Sequence, residues 1–378
     1  MTPVLTRYLY HCEEVCHSLL TCLLVKSSFE ETLFWASEIY YSGYQKEIWE
    51  LLWKIYYDFF AIRNPKFEKK IKRAHKNWCN THDVVHLIDV INFLYHSSTP
   101  TLKVFYLRTI KATSPTSIYL GRTPKWVVSL NLSKKERYFI RSIHKKSLLD
   151  ISYYLSQISD NIPRCYEIVW HYYTKIKGYS LKNQLVYEKI TYTDKKHILY
   201  ALICYLMMET DEELSKIRKI ALVRKLEQSS IDFFKDTNIS INPIWKTLPK
   251  RRLYAIHELV GAFPIVRAKV DIEWNKILWY HWEYYARQCP LWAERFKKYK
   301  VIFDETTLQP KFINDDLLEE FYEKYNLEPD EQSRDCQEKS LRVLETKTLG
   351  EWLSTIFSET IDDAIGKQRK IYYSLNGP

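Results

Sequence analysis

The sequence predicts an all-α protein of stacked helical hairpins, an irregular HEAT-like solenoid, with a short irregular or β-containing connection near residues 101–132. The first observation is that 378 residues contain only 7 glycines, whereas an average usage of ~7% would supply about 26. Doubly wound sheets, nucleotide loops and tight β-hairpins need glycine for positive φ or close backbone approach. The second observation is that apolar residues recur every three or four positions over much of the chain, which is the helical period.

Residues 28–60 form the hairpin around which the other helices are expected to pack, and they hold twelve of the aromatic residues. Gly43 lies between two apolar stripes, where a helix can end in the left-handed conformation. Both stripes have helical spacing, and their members are Leu33, Phe34, Ala36, Ser37, Ile39, Tyr40 and Tyr41, then Ile48, Leu51, Leu52, Ile55, Tyr56, Phe59 and Phe60. The pattern predicts an αα-hairpin that forms core and supports the surface beside it.

Further helices are predicted on both sides of this hairpin, and clusters of Ser, Thr and Pro separate them. The predicted helices cover residues 4–25, 66–78, 83–95, 134–144, 148–158, 163–176, 194–208, 211–226, 269–287, 290–299, 317–325 and 349–357. The predicted domains are an N-terminal hairpin domain (1–100), a connector (101–132), a helical domain (133–300) and an acidic, partly ordered C-terminal segment (301–378).

Charge is distributed unevenly along the chain, whose formal net charge is +10. Residues 301–378 contain 17 acidic and 9 basic side chains, a net charge of −8, which leaves +18 for residues 1–300. A basic body predicts a polyanionic partner, RNA or DNA, or an acidic protein. The alternative is that the acidic segment folds back on the body.

The cysteines and the N-terminus indicate a soluble, intracellular protein. The eight cysteines contain no C-x-x-C pair, which favours reduced thiols. The first residues carry charge where a signal peptide would be apolar, and no window of about 18 residues is free of charge. We therefore expect no membrane association.

No common cofactor site is predicted. The sequence lacks G-x-x-x-x-G-K-[ST], G-x-G-x-x-G and G-x-S-x-G, the loops that bind phosphates or present a nucleophile. The prediction is a protein without a cofactor and without catalysis.

His82 and His86 are the residues to test for a metal, although no metal is predicted. On one helix they would lie at i and i+4, close enough to share an ion, with Asp83 beside them. The alternative is a helix start capped by Thr81. A second cluster, His11, Cys12, Cys16 and His17, is interpreted as core because no other ligand pair has matching spacing.

Two basic runs form the predicted nucleic-acid-binding site. Lysine and arginine release counterions when they contact phosphate, and neighbouring aromatic rings can stack on unpaired bases. The predicted residues are Lys66, Lys69, Lys70, Lys72, Arg73, Lys76 and Trp78, and Lys134, Lys135, Arg137, Arg141, Lys145 and Lys146, with Tyr138 and Phe139 as further stacking candidates. The alternative is that these cations only solvate outer helix faces.

A third basic run precedes a short motif that suggests a protein partner. Tyr254, Leu259 and Val260 fit Tyr-x-x-x-x-Leu-Φ after Lys250, Arg251 and Arg252. This resembles the short helix by which the scaffold subunit of the eukaryotic translation-initiation cap complex grips its cap-binding partner. The resemblance implies a cap-binding protein as partner. An ordinary amphipathic core helix is the alternative.

The opening hairpin, SLLTCLLVKSSFEETLFWASEIYYSGYQKEIWELLWKIYYDFF, resembles a segment of uncharacterised helical proteins of large nucleocytoplasmic (giant) DNA viruses. It is also similar to the collar helices of clamp-loader-like ATPases, whose ATPase module this chain lacks. The viral resemblance implies a protein of the host cytoplasm, at the viral factory, or of the virion, and it brings no catalytic residues.

The predicted function is a non-catalytic viral scaffold or nucleic-acid-associated binding protein that uses basic helical faces. Two alternatives stay open, a translation-initiation scaffold that binds a cap-binding protein and a minor virion structural protein. The sequence does not determine the oligomeric state.

Overall fold

The structure is a computed structural model, and it describes residues 4–97, 100–109, 112–115, 130–158, 161–172, 195–207, 232, 234–235, 272–325, 334 and 349–357. These residues are mostly helical, so the all-α prediction is confirmed. The α-helices that they form are α1 (Cys12–Val25), α2 (Phe29–Tyr41), α3 (Gln45–Ile55), α4 (Glu68–Thr81), α5 (Val85–Ser97), α6 (Lys103–Thr109), α7 (Lys134–His144), α8 (Leu148–Ser156), α9 (Ile162–His171), α10 (Lys195–Met207), α11 (Ile272–Tyr280), α12 (Trp282–Ala286), α13 (Pro290–Lys298), α14 (Asp315–Tyr325) and α15 (Leu349–Ile356).

Short elements join some of these helices. A π-helical turn, Tyr56–Phe60, follows α3, and a 3-10 turn, Pro65–Phe67, precedes α4. Strands β1 (Ile302–Phe303) and β2 (Pro310–Lys311) pair antiparallel, with Ile302 opposite Lys311. Within the predicted connection, Lys103–Thr109 is the helix α6, residues 112–115 are irregular, and residues 116–129 lie outside the described part. No helix of the described residues is both long and apolar enough to cross a bilayer.

The chain divides into two compact units that alternate along the sequence. The first unit contains residues 1–51, 225–260 and 264–356, and the second contains residues 52–224, 261–263 and 357–378. The division therefore falls inside α3. In both units, helices that are neighbours in sequence pack together, as α1 does with α2, α4 with α5 and α7 with α8. The stacking of these hairpins into a solenoid stays a prediction.

The predicted helix over residues 4–25 is wrong at its beginning, because α1 starts at Cys12. Residues 5–11 instead form a tight loop in which Leu5 and His11 make an antiparallel bridge and Leu9 has φ 62°. The Thr6 amide donates to the Tyr10 carbonyl at 2.9 Å, and the Tyr10 amide donates back to the Thr6 hydroxyl at 3.2 Å. The loop thus satisfies its own backbone, as buried polar groups require.

Arg7 fixes this loop in the interior of the first unit. Its Nε donates to Glu38 Oε2 at 2.9 Å, and neither side chain is exposed to solvent. Its Nη2 donates to the Phe234 carbonyl at 2.8 Å, and its guanidinium carbon lies 4.7 Å from the centroid of the Tyr8 ring. Such pairing offsets the large cost of burying a cation.

Aromatic rings form a second centre of the first unit, around Trp292. The Trp292 indole donates to the Arg7 carbonyl at 3.1 Å and stacks on Phe296 with centroids 5.8 Å apart. The buried members of this cluster are Leu5, Trp282, Tyr285, Ala286, Cys289, Trp292, Phe296, Tyr299 and Phe321. The two-stranded sheet of β1 and β2 lies beside this cluster, with Phe303 packed against it and Ile302 exposed.

The core of the second unit contains a buried ion pair in the π-helical turn. Arg108 donates to both carboxylate oxygens of Asp58, at 3.1 and 2.6 Å. The bidentate geometry satisfies a carboxylate that has no exposed surface. His197 Nε2 lies 3.9 Å from the same carboxylate. A lone acid within the apolar and aromatic run Ile-Tyr-Tyr-Asp-Phe-Phe is a sequence signal for a buried, paired carboxylate.

Candidate nucleic-acid interface

The basic helix α4 is held on the second unit by its apolar side. Phe67 stacks on Phe93 at the start of the helix, and Ile71 and Trp78 are buried at i and i+7. Residues with this spacing share one helical face. Their burial turns the other face of α4 to solvent.

The solvent face of α4 carries the predicted cations. Lys66, Lys69, Lys70, Arg73 and Lys76 are exposed, and Lys72 is half-buried. Lys69, Arg73 and Lys76 have i, i+4, i+7 spacing and so form a single row about 10 Å long. Repeated cations at this spacing match the repeated charges of a phosphate backbone.

The only carboxylate between residues 66 and 82 is turned away from this row. Glu68 is 3% exposed, and its Oε1 accepts a hydrogen bond from the Tyr57 hydroxyl at 3.0 Å. All exposed charged side chains of residues 66–81 are therefore lysine or arginine. A face that only solvates a helix usually mixes both signs, and the exposed face of residues 66–81 does not.

Trp78 does not belong to the exposed face. It is 5% exposed, and its ring meets the His82 ring edge to face at 5.4 Å. His75 also lies on the inner side of α4, and its Nδ1 accepts a hydrogen bond from the Trp53 indole nitrogen at 3.0 Å. Burial lowers the pKa of His75, so this histidine adds no charge at neutral pH. The charged side chains of α4 that a ligand can contact are therefore all cations.

The second basic helix, α7, begins with a capping box. The Ser133 hydroxyl accepts from the Glu136 amide at 3.3 Å, and Glu136 Oε2 accepts from the Ser133 amide at 2.7 Å. Glu136 Oε1 accepts from Arg164 Nε at 3.1 Å. Desolvation opposes ionisation of Glu136, but the hydrogen bonds from Ser133 and Arg164 outweigh it and lower the pKa. The only carboxylate of α7 is thus occupied within the fold.

Some of the predicted cations of the second basic run are exposed, and others are half-buried. Lys134, Lys135, Lys145 and Lys146 are exposed, whereas Arg137 and Arg141 are half-buried. Arg137 Nε donates to the Leu132 carbonyl at 3.1 Å, so Arg137 serves the helix start. Lys146 has φ 56° just beyond the helix. Phe139 is fully buried, and Tyr138 is half-buried beside Lys134.

The expected helical pairing of His82 and His86 is not formed, because one helix ends just before His82 and the next begins only at Val85. His82 closes α4 with φ 53°, and α5 begins at Val85. The Thr81 hydroxyl accepts from the Asp83 amide at 3.2 Å, and Asp83 Oδ1 accepts from the Val85 amide at 3.0 Å. These side chains bridge the turn between the two helices, and Thr81 ends α4 instead of capping a helix start as the alternative interpretation expected.

The other predicted clusters have different outcomes. Cys12 and Cys16 are free thiols on α1, and His17 stacks on Trp352 with centroids 5.5 Å apart. Among the residues that the structure describes, no group of three His, Cys, Asp or Glu side chains is arranged to hold a metal ion. Lys250, Arg251, Arg252, Tyr254, Leu259 and Val260 lie outside the described residues.

Comparison with known proteins does not assign the chain to a family. No family model, no curated protein and no solved structure matches it. The resemblances of the opening hairpin to viral proteins and to clamp-loader collars stay predictions.

Proposed function

We propose that this protein is a non-catalytic, nucleic-acid-associated binding protein that holds its ligand by phosphate contacts to the exposed faces of α4 and α7. The observation that carries the proposal is the one-signed surface of α4. Lys69, Arg73 and Lys76 form a row, while the neighbouring Glu68 is buried on Tyr57. With that carboxylate buried, the charged side chains exposed along residues 66–81 are all cations.

Phosphate binding explains this arrangement better than solvation does. Each cation that meets a phosphate releases condensed counterions, and this gain is largest in dilute salt. Exposed ion pairs contribute little to folding, so the four exposed cations of α4, Lys69, Lys70, Arg73 and Lys76, add little to stability. Their use lies in binding a ligand of opposite charge. The helices α7 and α4 belong to the same unit, which makes the second unit the binding part of the chain.

The experiment is charge reversal of the row in the full-length protein. We expect the triple variant Lys69→Glu, Arg73→Glu, Lys76→Glu to lower the affinity for a fluorescent RNA or DNA oligomer by at least about 100-fold, because three attractive contacts become repulsive. All three side chains are exposed, so circular dichroism should be unchanged. The slope of log K against log salt should fall by about 2 to 3, at ~0.7–0.9 for each lost contact.

A matched control keeps the net charge change but moves it elsewhere. Lys46, Lys276 and Lys324 are exposed lysines of the first unit, and their reversal to glutamate should reduce affinity far less. Equal losses in both triple variants would show that only net charge matters and would contradict the proposal. Competition by polyglutamate as effective as that by nucleic acid would assign the surface to an acidic protein instead.

A further inference from the structure

Tyr138 is the aromatic side chain that the structure leaves available beside the basic helices. Four aromatic rings lie within the basic runs, and three of them are buried, Phe67 at 2% exposure, Trp78 at 5% and Phe139 at 0%. Tyr138 is half-buried on α7. A ring that is partly exposed and partly covered can contact a ligand while it stays packed against the protein.

Tyr138 lies in a row with cations. Lys134 precedes it by four residues, and Lys145, the C-cap residue of α7, follows it by seven, so helical spacing places all three on one side. The Lys134 ammonium is 5.9 Å from the centroid of the Tyr138 ring, within the range of a cation–π contact. Arg141 has the same facing, at i+3 from the tyrosine.

A second ring supports Tyr138 from the neighbouring helix. The ring centroids of Tyr138 and Tyr154 are 5.4 Å apart with planes inclined by 35°. Tyr154 is 7% exposed and belongs to α8, which packs along α7. Because its support is buried, the Tyr138 ring loses little conformational entropy when a flat ligand stacks on it.

Resting on the proposed function, we infer that the α7 face is a site for unpaired nucleotides. One base stacks on the Tyr138 ring, and the phosphates on either side of it contact Lys134 and Lys145. Stacking on aromatic rings between cations is how sequence-tolerant single-strand sites work, since every base has a π face. The α4 face has cations without an accessible ring, so it contacts phosphates of paired and unpaired strands alike.

The test compares two tyrosine substitutions on two ligands. Affinity of the full-length protein is measured by fluorescence anisotropy for an unpaired homopolymer and for a duplex of equal charge. We expect Tyr138→Leu to weaken binding of the homopolymer about tenfold, in the range known for one stacked base, and to change duplex binding by less than about twofold. Tyr138→Phe should bind both ligands as the wild type does, because stacking needs the ring and not the hydroxyl.

Controls separate this inference from the function on which it rests. Tyr280 is 69% exposed on a helix of the first unit, and Tyr280→Leu should change neither affinity. Unchanged homopolymer binding by Tyr138→Leu, with intact duplex binding, would overturn the inference and leave the proposed function standing. Wild-type protein that binds neither ligand would overturn both.

A measurement on the wild-type protein does not depend on whether the leucine variant folds. An oligomer that contains 5-bromouracil is photocrosslinked to the wild-type protein, and the attached peptide is identified by mass spectrometry. A crosslink at Tyr138 supports the stacked base. Crosslinks confined to peptides outside α7 and α8 would contradict it.

Discussion

At the scale of individual residues, the contribution of an ion pair to stability depends on whether the pair is buried. Arg7 and Glu38 have no exposed side-chain surface, whereas Arg287 pairs with a Glu305 side chain that is 67% exposed. Removing one partner of a buried pair leaves the other charge without compensation, while an exposed pair is replaced by water. The two arginines therefore provide a matched comparison within the first unit.

Arg7→Met is expected to lower the free energy of unfolding by about 3–5 kcal/mol, the cost of leaving a buried charge unpaired. Arg287→Met should have a much smaller effect, and adding Glu38→Gln to Arg7→Met should recover part of the loss. Urea unfolding measures the change, and hydrogen exchange of residues 5–11 localises it. Equal losses from Arg7→Met and Arg287→Met would show that burial does not determine the energetics.

Lys26 provides a pH-dependent prediction. It follows α1 with φ 57°, and burial lowers its pKa to about 8. The unfolded chain keeps the ordinary lysine pKa near 10.4, so between pH 8 and pH 10 it binds a proton that the folded chain does not. Linkage then makes the contribution of Lys26 to stability rise with pH across that window. Below pH 8 the folded protein bears the cost of a partly buried cation.

The difference in urea midpoint between wild type and Lys26→Met isolates this group from other alkaline titrations. The stability of the wild type minus that of the variant should be larger at pH 9.5 than at pH 7. A difference that is the same at both pH values would contradict the lowered pKa.

At the scale of elements, local sequence signals predict the helices well where they include a cap or a breaker. The sequence predicts a helix over residues 134–144, and α7 has those bounds, with Ser133 as its cap. Gly43 was predicted to end a helix in the left-handed region, and it has φ 99°. The start of α1 escaped prediction because the apolar spacing continues through residues 5–11, while long-range partners of Arg7 hold the backbone out of a helix.

The α2–α3 connection depends on Gly43 for two reasons. Its positive φ is costly for residues with a Cβ, and a Cβ built there would lie 2.5 Å from Pro290 Cβ, an atom of the same unit. We expect Gly43→Ala to destabilise the first unit by at least about 1–2 kcal/mol. Thermal unfolding measures the loss.

Gly350 is the matched control for this substitution. It lies within α15, where alanine is the better helix former, so Gly350→Ala should not lower the melting temperature. A Gly43→Ala protein as stable as wild type would show that the connection can rearrange.

At the scale of the whole molecule, the sequence predicts the helical class and the exposed basic rows but not the division into units. Helical class follows from composition and period, and exposure of Lys69, Arg73 and Lys76 follows from their position opposite Ile71 and Trp78. Because Trp78 shares a helical face with Ile71, its burial is also predictable from the sequence. The interleaved units depend on contacts between residues more than 200 positions apart, and no local pattern encodes such pairs.

The anchoring of Arg7 also has a consequence for synthesis of the chain. The carbonyl of Phe234 and the indole of Trp292 that hold Arg7 come 227 and 285 positions later. At about 5–20 residues per second, a ribosome needs roughly 15–60 s to make that stretch. Residues 52–224, which make up most of the second unit, leave the ribosome before Phe234 and Trp292 do. The loop of residues 5–11 is therefore made long before the later partners of Arg7, and it cannot be anchored fully until residues 52–224 have been synthesised.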